Sequence, residues 1–188
     1  SSDLAALNYT RFQEWSGDED IDRTKAALLA FKGDVYRGMG ADDFTREDLL
    51  FAQKHLRILS GLYGLLRPLD RIEPYRLEMG CSFKVTAAKN NLYKYWDDRI
   101  TDEINRSLAT SGNNFVINLA SAEYFKSVNV ASVSGELLDV VFMDKKGDEY
   151  KVVMTWAKLA RGMMARYIVQ NRIEHPDGLR EFNSQKTT

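Results

Sequence analysis

Residues 58–80, ILSGLYGLLRPLDRIEPYRLEMG, hold two of the chain's three prolines, Pro68 and Pro74, and three of its twelve glycines, Gly61, Gly64 and Gly80. Proline fixes φ and removes a backbone donor, and glycine loses more conformational freedom on ordering than any other residue. No long helix survives such a run, so the fold has to be assembled from separate elements on either side of it. The same run carries Arg67, Arg71 and Arg76. Two readings are open: a structural loop packed under a sheet, or a backbone-shaped segment that faces phosphate.

The flanks carry clear periodicity. YTRFQEW is helical, with Tyr9, Phe12 and Trp15 near one face, and Asp22 is placed to cap a second helix through RTKAALLAF. Residues 31–44 read as strand and turn, punctuated by Gly33, Gly38 and Gly40. Thr45 and Asp48 form a capping-box pattern for a helix through TREDLLFAQKHLRILS that Gly61 ends. Residues 91–110 are predicted as one amphipathic helix. NFVINLA and ELLDVVFMD read as strands, the second joined to YKVVMT by a hairpin with Gly147 in its turn. The longest helical pattern runs from Trp156 to Glu174 and stops before Pro176. Strands and helices interleave, but strands also pair as hairpins. The expectation is an α/β (α+β mixed) fold: a single domain over residues 1–188, with a mixed sheet and flanking helices.

At 188 residues and 44% hydrophobic, the chain can bury a core without disulfides, and its one cysteine, Cys81, allows no internal disulfide. Together with the lack of a membrane-span or signal-peptide pattern, this points to the cytoplasm. The net charge of −1 conceals an alternation. Residues 1–50 carry eleven Asp/Glu against six Lys/Arg, a balance of −5, and residues 51–100 carry five against nine, or +4. Residues 101–150 carry eight against four, or −4, and residues 151–188 carry three against seven, or +4. Two basic quarters on one face would attract a polyanion; scattered, they are ordinary surface charge.

Enzyme motifs are sparse. Gly33 and Gly38 give G-x-x-x-x-G, but Met39 and Gly40 stand where a phosphate-cradling loop needs Lys and Ser/Thr. His55 and His175 lie far apart with no cysteine cluster, so no metal site is expected, and no cofactor is implied. His55, in the cationic run KHLR, reads as a solvated helix terminus. Cys81 lacks the positioned histidine that a nucleophile needs. No spacing singles out an acid–base pair among Glu73, Asp97, Asp98 and Glu123.

The basic helix is the stronger signal. Lys151 to Ile173 contains no acid, and Lys158, Arg161 and Arg172 fall on one stripe at about 60°, 0° and 20° on a helical wheel. Most of the remaining girth is apolar, which places the helix deep in a domain. Its cations therefore reach solvent, pair with acids or line an anion-binding cleft. In the opening segment FAQKHLRILS, SGLYG and LLRPLD have the outline of a helix-hairpin-helix element, whose backbone N–H groups meet DNA phosphates without reading bases.

The blocks AFKGDVYRG, AQKHLRILSGLYGLLRPLDRIEPYRLEMG, NLYKYW, VINLASAEYFKSV, KLARGMMARYIVQNRI and FNS resemble, in order, the YaaA family of bacterial peroxide-stress proteins, the UPF0246 group. The resemblance implies a cytoplasmic protein that limits damage by hydrogen peroxide, is linked to lower free iron, and binds DNA in a positive cleft. The basic positions of the matching blocks are Lys54, Arg57, Arg67, Arg71, Arg76, Lys126, Lys158, Arg161, Arg166 and Arg172. Members of that family open with a strand and a Ser-Pro-Ala-Lys turn and continue past FNS into an aromatic-rich end. Neither segment is among these 188 residues. If that lysine lines the cleft, residues 1–188 alone are expected to bind more weakly. The implied function is non-enzymatic binding of double-stranded or branched DNA with little sequence preference. About five phosphate contacts would give a log–log salt slope of roughly −4.5. The rival is an enzyme acting on a nucleotide or nucleobase-like molecule in the same cleft, with Glu123 or Asp97 moving the proton. Direct iron binding would need a carboxylate–histidine cluster that the sequence does not offer.

Overall fold

The computed structural model describes residues 2–15, 22–82, 84–146, 149–151 and 154–182. In chain order the elements are α1 (Ser2–Glu14), β1 (Lys25–Ala26), α2 (Ala27–Ala30), α3 (Asp34–Met39), α4 (Arg46–His55), β2 (Ile58–Ser60), β3 (Gly64–Leu66) and β4 (Arg71–Ile72). They continue with α5 (Leu92–Trp96), α6 (Arg99–Ser111), β5 (Phe115–Asn118), α7 (Ala122–Phe125), β6 (Glu136–Asp139), β7 (Asp144–Lys146), β8 (Glu149–Lys151) and α8 (Met154–Gln170). The mixed helix–strand composition is as expected. Its strands, however, form four two-stranded sheets among the described residues: β1–β4, β2–β3 and β7–β8 antiparallel, β5–β6 parallel. The expected hairpin is β7–β8, and its turn at Gly147 lies outside the described residues.

Residues 58–80 are the structural centre. Ile58 pairs with Leu66 and Leu59 with Leu65, so alternate side chains of the β2–β3 hairpin point to opposite faces. Ile58 and Leu66 join a core with Ala27, Leu28, Met39, Ala52, Ala165 and Val169. Leu59 and Leu65 pack on a second core built from Met79, Leu92, Ile100, Ile104, Leu108 and Val128. A three-residue strand thus divides the two cores, and shifting its register by one would exchange them. The hairpin turn is pinned by close approach: a Cβ on Gly64, whose φ is +76°, would come within 2.7 Å of the Trp96 ring. The indole N–H of Trp96 in turn donates to the Gly61 carbonyl at 2.9 Å. Buried Pro68 supplies the carbonyl that accepts from Leu28 N–H at 3.0 Å. The loop therefore supports the sheet.

Several local expectations change. The helix foreseen from Asp22 is strand β1 and then a single turn, α2, because the backbone amides of Ala27 and Leu28 are drawn to the carbonyls of Asp70 and Pro68. The strand foreseen over 31–44 is α3 followed by a 3-10 turn at Ala41–Asp43. Glycines there serve close packing: a Cβ on Gly38 would meet the Leu159 carbonyl oxygen at 2.2 Å, and one on Gly162 the Val35 carbonyl oxygen at 1.9 Å. The Thr45–Asp48 capping box is present, but α4 ends at His55 and Gly61 belongs to the hairpin turn. The helix outlined by LLRPLD is β3 and a turn, so no helix-hairpin-helix forms: a β-hairpin follows α4, and the next helix among the described residues begins at Leu92. The predicted helix 91–110 is broken at Asp97, whose φ of +52° is left-handed. The longest helix ends at Gln170, and Arg172 lies beyond it with φ +54°.

Candidate nucleic-acid interface

At the end of α4 the last carbonyls have no intrahelical partner. Arg57 folds back over them: its Nη1 donates to the carbonyls of Leu56 at 2.7 Å, Gln53 at 3.2 Å and Lys54 at 3.3 Å. Its Nε donates to Ser107 Oγ on α6 at 2.9 Å. A cation at a helix C-terminus is favoured by the dipole, and this one is bonded from both α4 and α6. The β2–β3 register pairs Ile58 with Leu66. Just beyond that pair, Arg57 precedes β2 and Arg67 follows β3, which brings the two arginines to the open end of the hairpin. Like charges brought together in this way repel. Burial, followed by the neighbouring Arg67 charge, holds the Arg57 guanidinium below its ordinary basicity. Arg67 itself is exposed and forms an i,i+3 pair with Asp70 at 3.0 Å. Lys54 is exposed in the last turn of α4, Arg57 lies in the link between α4 and β2, and Arg67 directly follows β3.

The other predicted positions are placed differently. Arg166 grips Asp43 with both terminal nitrogens at 2.8 Å, reaches the carbonyls of Met39 and Gly40, and covers the Phe44 ring. That hydrogen-bonded carboxylate raises the basicity of Arg166, and the guanidinium in return lowers the Asp43 carboxyl. Arg172 bonds Asp48 at 2.7 Å and lies over Phe51. Burial works to raise the Asp48 carboxyl, but hydrogen bonds from Arg172 and Thr45 outweigh it and the pKa is lowered. The stripe expected along one helix is therefore broken: Arg172 has left the helix. Lys158 is exposed, and Arg161 is half-buried with its Nε unpartnered among the described residues. Arg71 donates to the Thr24 hydroxyl and carbonyl at 2.6 and 2.7 Å. Arg76 pairs with Glu78 at 3.2 Å, and Lys126 stands over the Tyr93 ring at 5.1 Å.

His55 is no solvated terminus. It stacks on Phe51 with ring centroids 4.2 Å apart, and burial followed by the Lys54 charge lowers its pKa. The two carboxylates named for proton transfer are occupied: Glu123 accepts from Gly80 N–H at 2.9 Å, and Asp97 pairs with Lys89 at 2.9 Å. Among the described residues no three His, Cys, Asp or Glu side chains come together as a metal-holding group. No helix among them is long and apolar enough to cross a membrane.

Sequence reasoning missed Ser107, which anchors Arg57 from 50 residues away, and Asp43 and Asp48, which hold Arg166 and Arg172. The cross-strand arginine pair was within reach, because a hairpin about Gly61–Gly64 would have set the register. The sequence leaves that segment between a structural loop and a helix-hairpin-helix outline, and neither reading sets the two arginines side by side.

A family model described as "Peroxide stress protein YaaA" matches residues 1–187 of the 188. The chain belongs to that family. Its membership supports a role in the response to peroxide stress, and the match takes in every residue named above in the two cores, together with Lys54, Arg57 and Arg67.

Proposed function

We propose that this family member serves the peroxide-stress response as a non-enzymatic DNA-binding protein that grips backbone phosphate with Lys54, Arg57 and Arg67. The observation that carries the reading is the opposition of Arg57 and Arg67 across the hairpin. Two guanidiniums in mutual repulsion, one of them partly desolvated, gain from an anion that bridges them, and phosphate offers oxygens to both forks. The Arg67–Asp70 pair is an exposed short-range pair of the kind worth at most about 1 kcal/mol, so it yields readily to a stronger anion. Arg166 and Arg172 are assigned a structural part, because they are already satisfied by Asp43 and Asp48. Binding by phosphate alone carries no base readout. On this reading the protein acts in the cytoplasm on double-stranded or branched DNA, and its effect on free iron is indirect.

The test is binding to fluorescent duplex and branched DNA across a salt series. Three phosphate contacts give a log–log slope of roughly −2.7, shallower than the −4.5 that a five-cation cleft would give. A flat response, or full binding by a Lys54→Ala/Arg67→Ala variant, would overturn the proposal.

A further inference from the structure

The segment FKGDVYRG lacks a phosphate-loop lysine, yet it walls a distinct cleft of about 320 Å³, within the size range of small-ligand sites. One wall is aromatic: Phe31 and Tyr36 stack with centroids 5.3 Å apart and planes 21° from parallel. Leu28, Leu29 and Ala41 make the rest of the interior apolar. Lys32 and Arg37 bring two positive charges to the lining and Asp42 brings a carboxylate. Gly33, also in the lining, has a φ of +128°, and a Cβ there would meet nothing within 4 Å, so the backbone borders open space.

From these features we infer that the cleft binds a mononucleotide, separately from the DNA surface. An apolar, aromatic interior takes a flat base. Two cations suit one phosphate, and a carboxylate accepts from ribose hydroxyls or an exocyclic amine. Arg37 is 70% exposed and paired only with Asp34 three residues back, at 2.9 Å among the described residues. Such surface pairs are weak, so the guanidinium can turn to a ligand. A simple anion would leave the aromatic wall unused, and an uncharged aromatic would leave Lys32 and Arg37 unused. The larger hollow beside Asp97, about 550 Å³, offers no comparable wall, since Arg99 already covers Tyr95 and Trp96.

The experiment is a titration of the whole chain with AMP, followed by amide chemical shifts and by calorimetry, beside adenosine and inorganic phosphate. The expected result is saturable AMP binding in the micromolar to low millimolar range, with shifts at Phe31–Arg37 and Ala41–Asp42. Affinity should drop at least tenfold in Lys32→Glu/Arg37→Glu and stay unchanged in Lys54→Ala/Arg67→Ala. Both variants change exposed side chains, so folding can be verified from the same spectra. Four results would each overturn the inference: no saturation, adenosine or phosphate binding as tightly as AMP, shifts elsewhere, or unaltered affinity in Lys32→Glu/Arg37→Glu. DNA is expected to stay bound when AMP saturates. The DNA reading can therefore fail on its own salt series while the nucleotide cleft stands, and the reverse.

Discussion

Two cationic regions of this chain look alike in sequence and differ in what the fold does with them. After residue 160, Arg166 and Arg172 are matched to Asp43 and Asp48, acids more than a hundred residues earlier, and α8 is clamped to the segments before it. At the end of α4, Arg57 and Arg67 are set against each other, and the nearest acid, Asp70, is a short-range partner of one of them. Density of positive charge therefore does not locate an anion site. What separates the regions is whether the fold delivers a counter-charge. Distant acids bond both arginines of the helix end directly, whereas at the arginine pair Asp70 bonds Arg67, and Arg57 feels Asp70 and Glu103 as neighbouring charges.

The comparison is tested most severely through the packing that brings α8 to its acids. Gly162→Ala would put a Cβ 1.9 Å from the Val35 carbonyl oxygen, where only backbone displacement gives relief. Helix propensity alone would favour alanine by about 1 kcal/mol. A measured loss of about 3 kcal/mol in urea unfolding is nevertheless expected, as for other overpacked sites. A neutral or stabilising result would mean that α3 and α8 are not in such close contact.

Asp48→Asn comes next. Removing one partner of a buried pair costs about 3–5 kcal/mol, and Arg172, with its side chain 38% exposed, recovers some solvation, so about 2 kcal/mol is expected. The carboxyl is held below its ordinary value of 3.8. Its contribution is therefore full above that value and is lost as pH falls toward the folded pKa, so wild type and variant should converge in acid. DNA affinity should not change. If it falls in step with that of Arg67→Ala, Arg172 belongs to the interface after all.

Lys54→Ala and Arg67→Ala should each leave stability nearly unchanged, because both side chains are exposed. Each should weaken duplex binding several-fold at moderate salt and reduce the steepness of the salt dependence by about 0.9. Arg57→Ala is the less useful variant, since it also releases three carbonyls and Ser107. Equal effects of Lys54→Ala and Lys158→Ala would erase the distinction between the regions.

Much of the fold was legible where one residue decides locally: the Thr45–Asp48 box, the strands at Phe115–Asn118 and Glu136–Asp139, and the hairpin before α8. It was illegible where distant groups overrode local preference. The amides of Ala27 and Leu28 follow Asp70 and Pro68 rather than helix periodicity, and Asp97 adopts a left-handed backbone that its neighbours do not announce. The site suffered in the same way. Clustering of cations is written along the chain, but Ser107, Asp43 and Asp48 reach them only through tertiary packing.

The smallest expected effect concerns His55, which lies between the two regions. Its ring is stacked on Phe51, which also carries Arg172, while Lys54 and Arg57 approach from the α4 end. Glu174 Oε1 is 3.3 Å from Nε2 and its charge works to raise the pKa, and the Asn113 amide lies 3.4 Å from Nδ1. Burial and the two cations win over Glu174, so the folded pKa lies below 6.5. The unfolded chain then binds the proton more readily than the folded one. Stability is full above pH 6.5 and is lost as pH falls from there toward the folded pKa, where the slope ends. His55→Gln removes the titrating group while keeping a polar side chain. Its urea midpoint should change less than that of wild type between pH 7.5 and 5.5. A wild-type midpoint that rises on acidification would show that Glu174 prevails, and that the carboxylate, not the cations of α4, sets the field at the junction of the two regions.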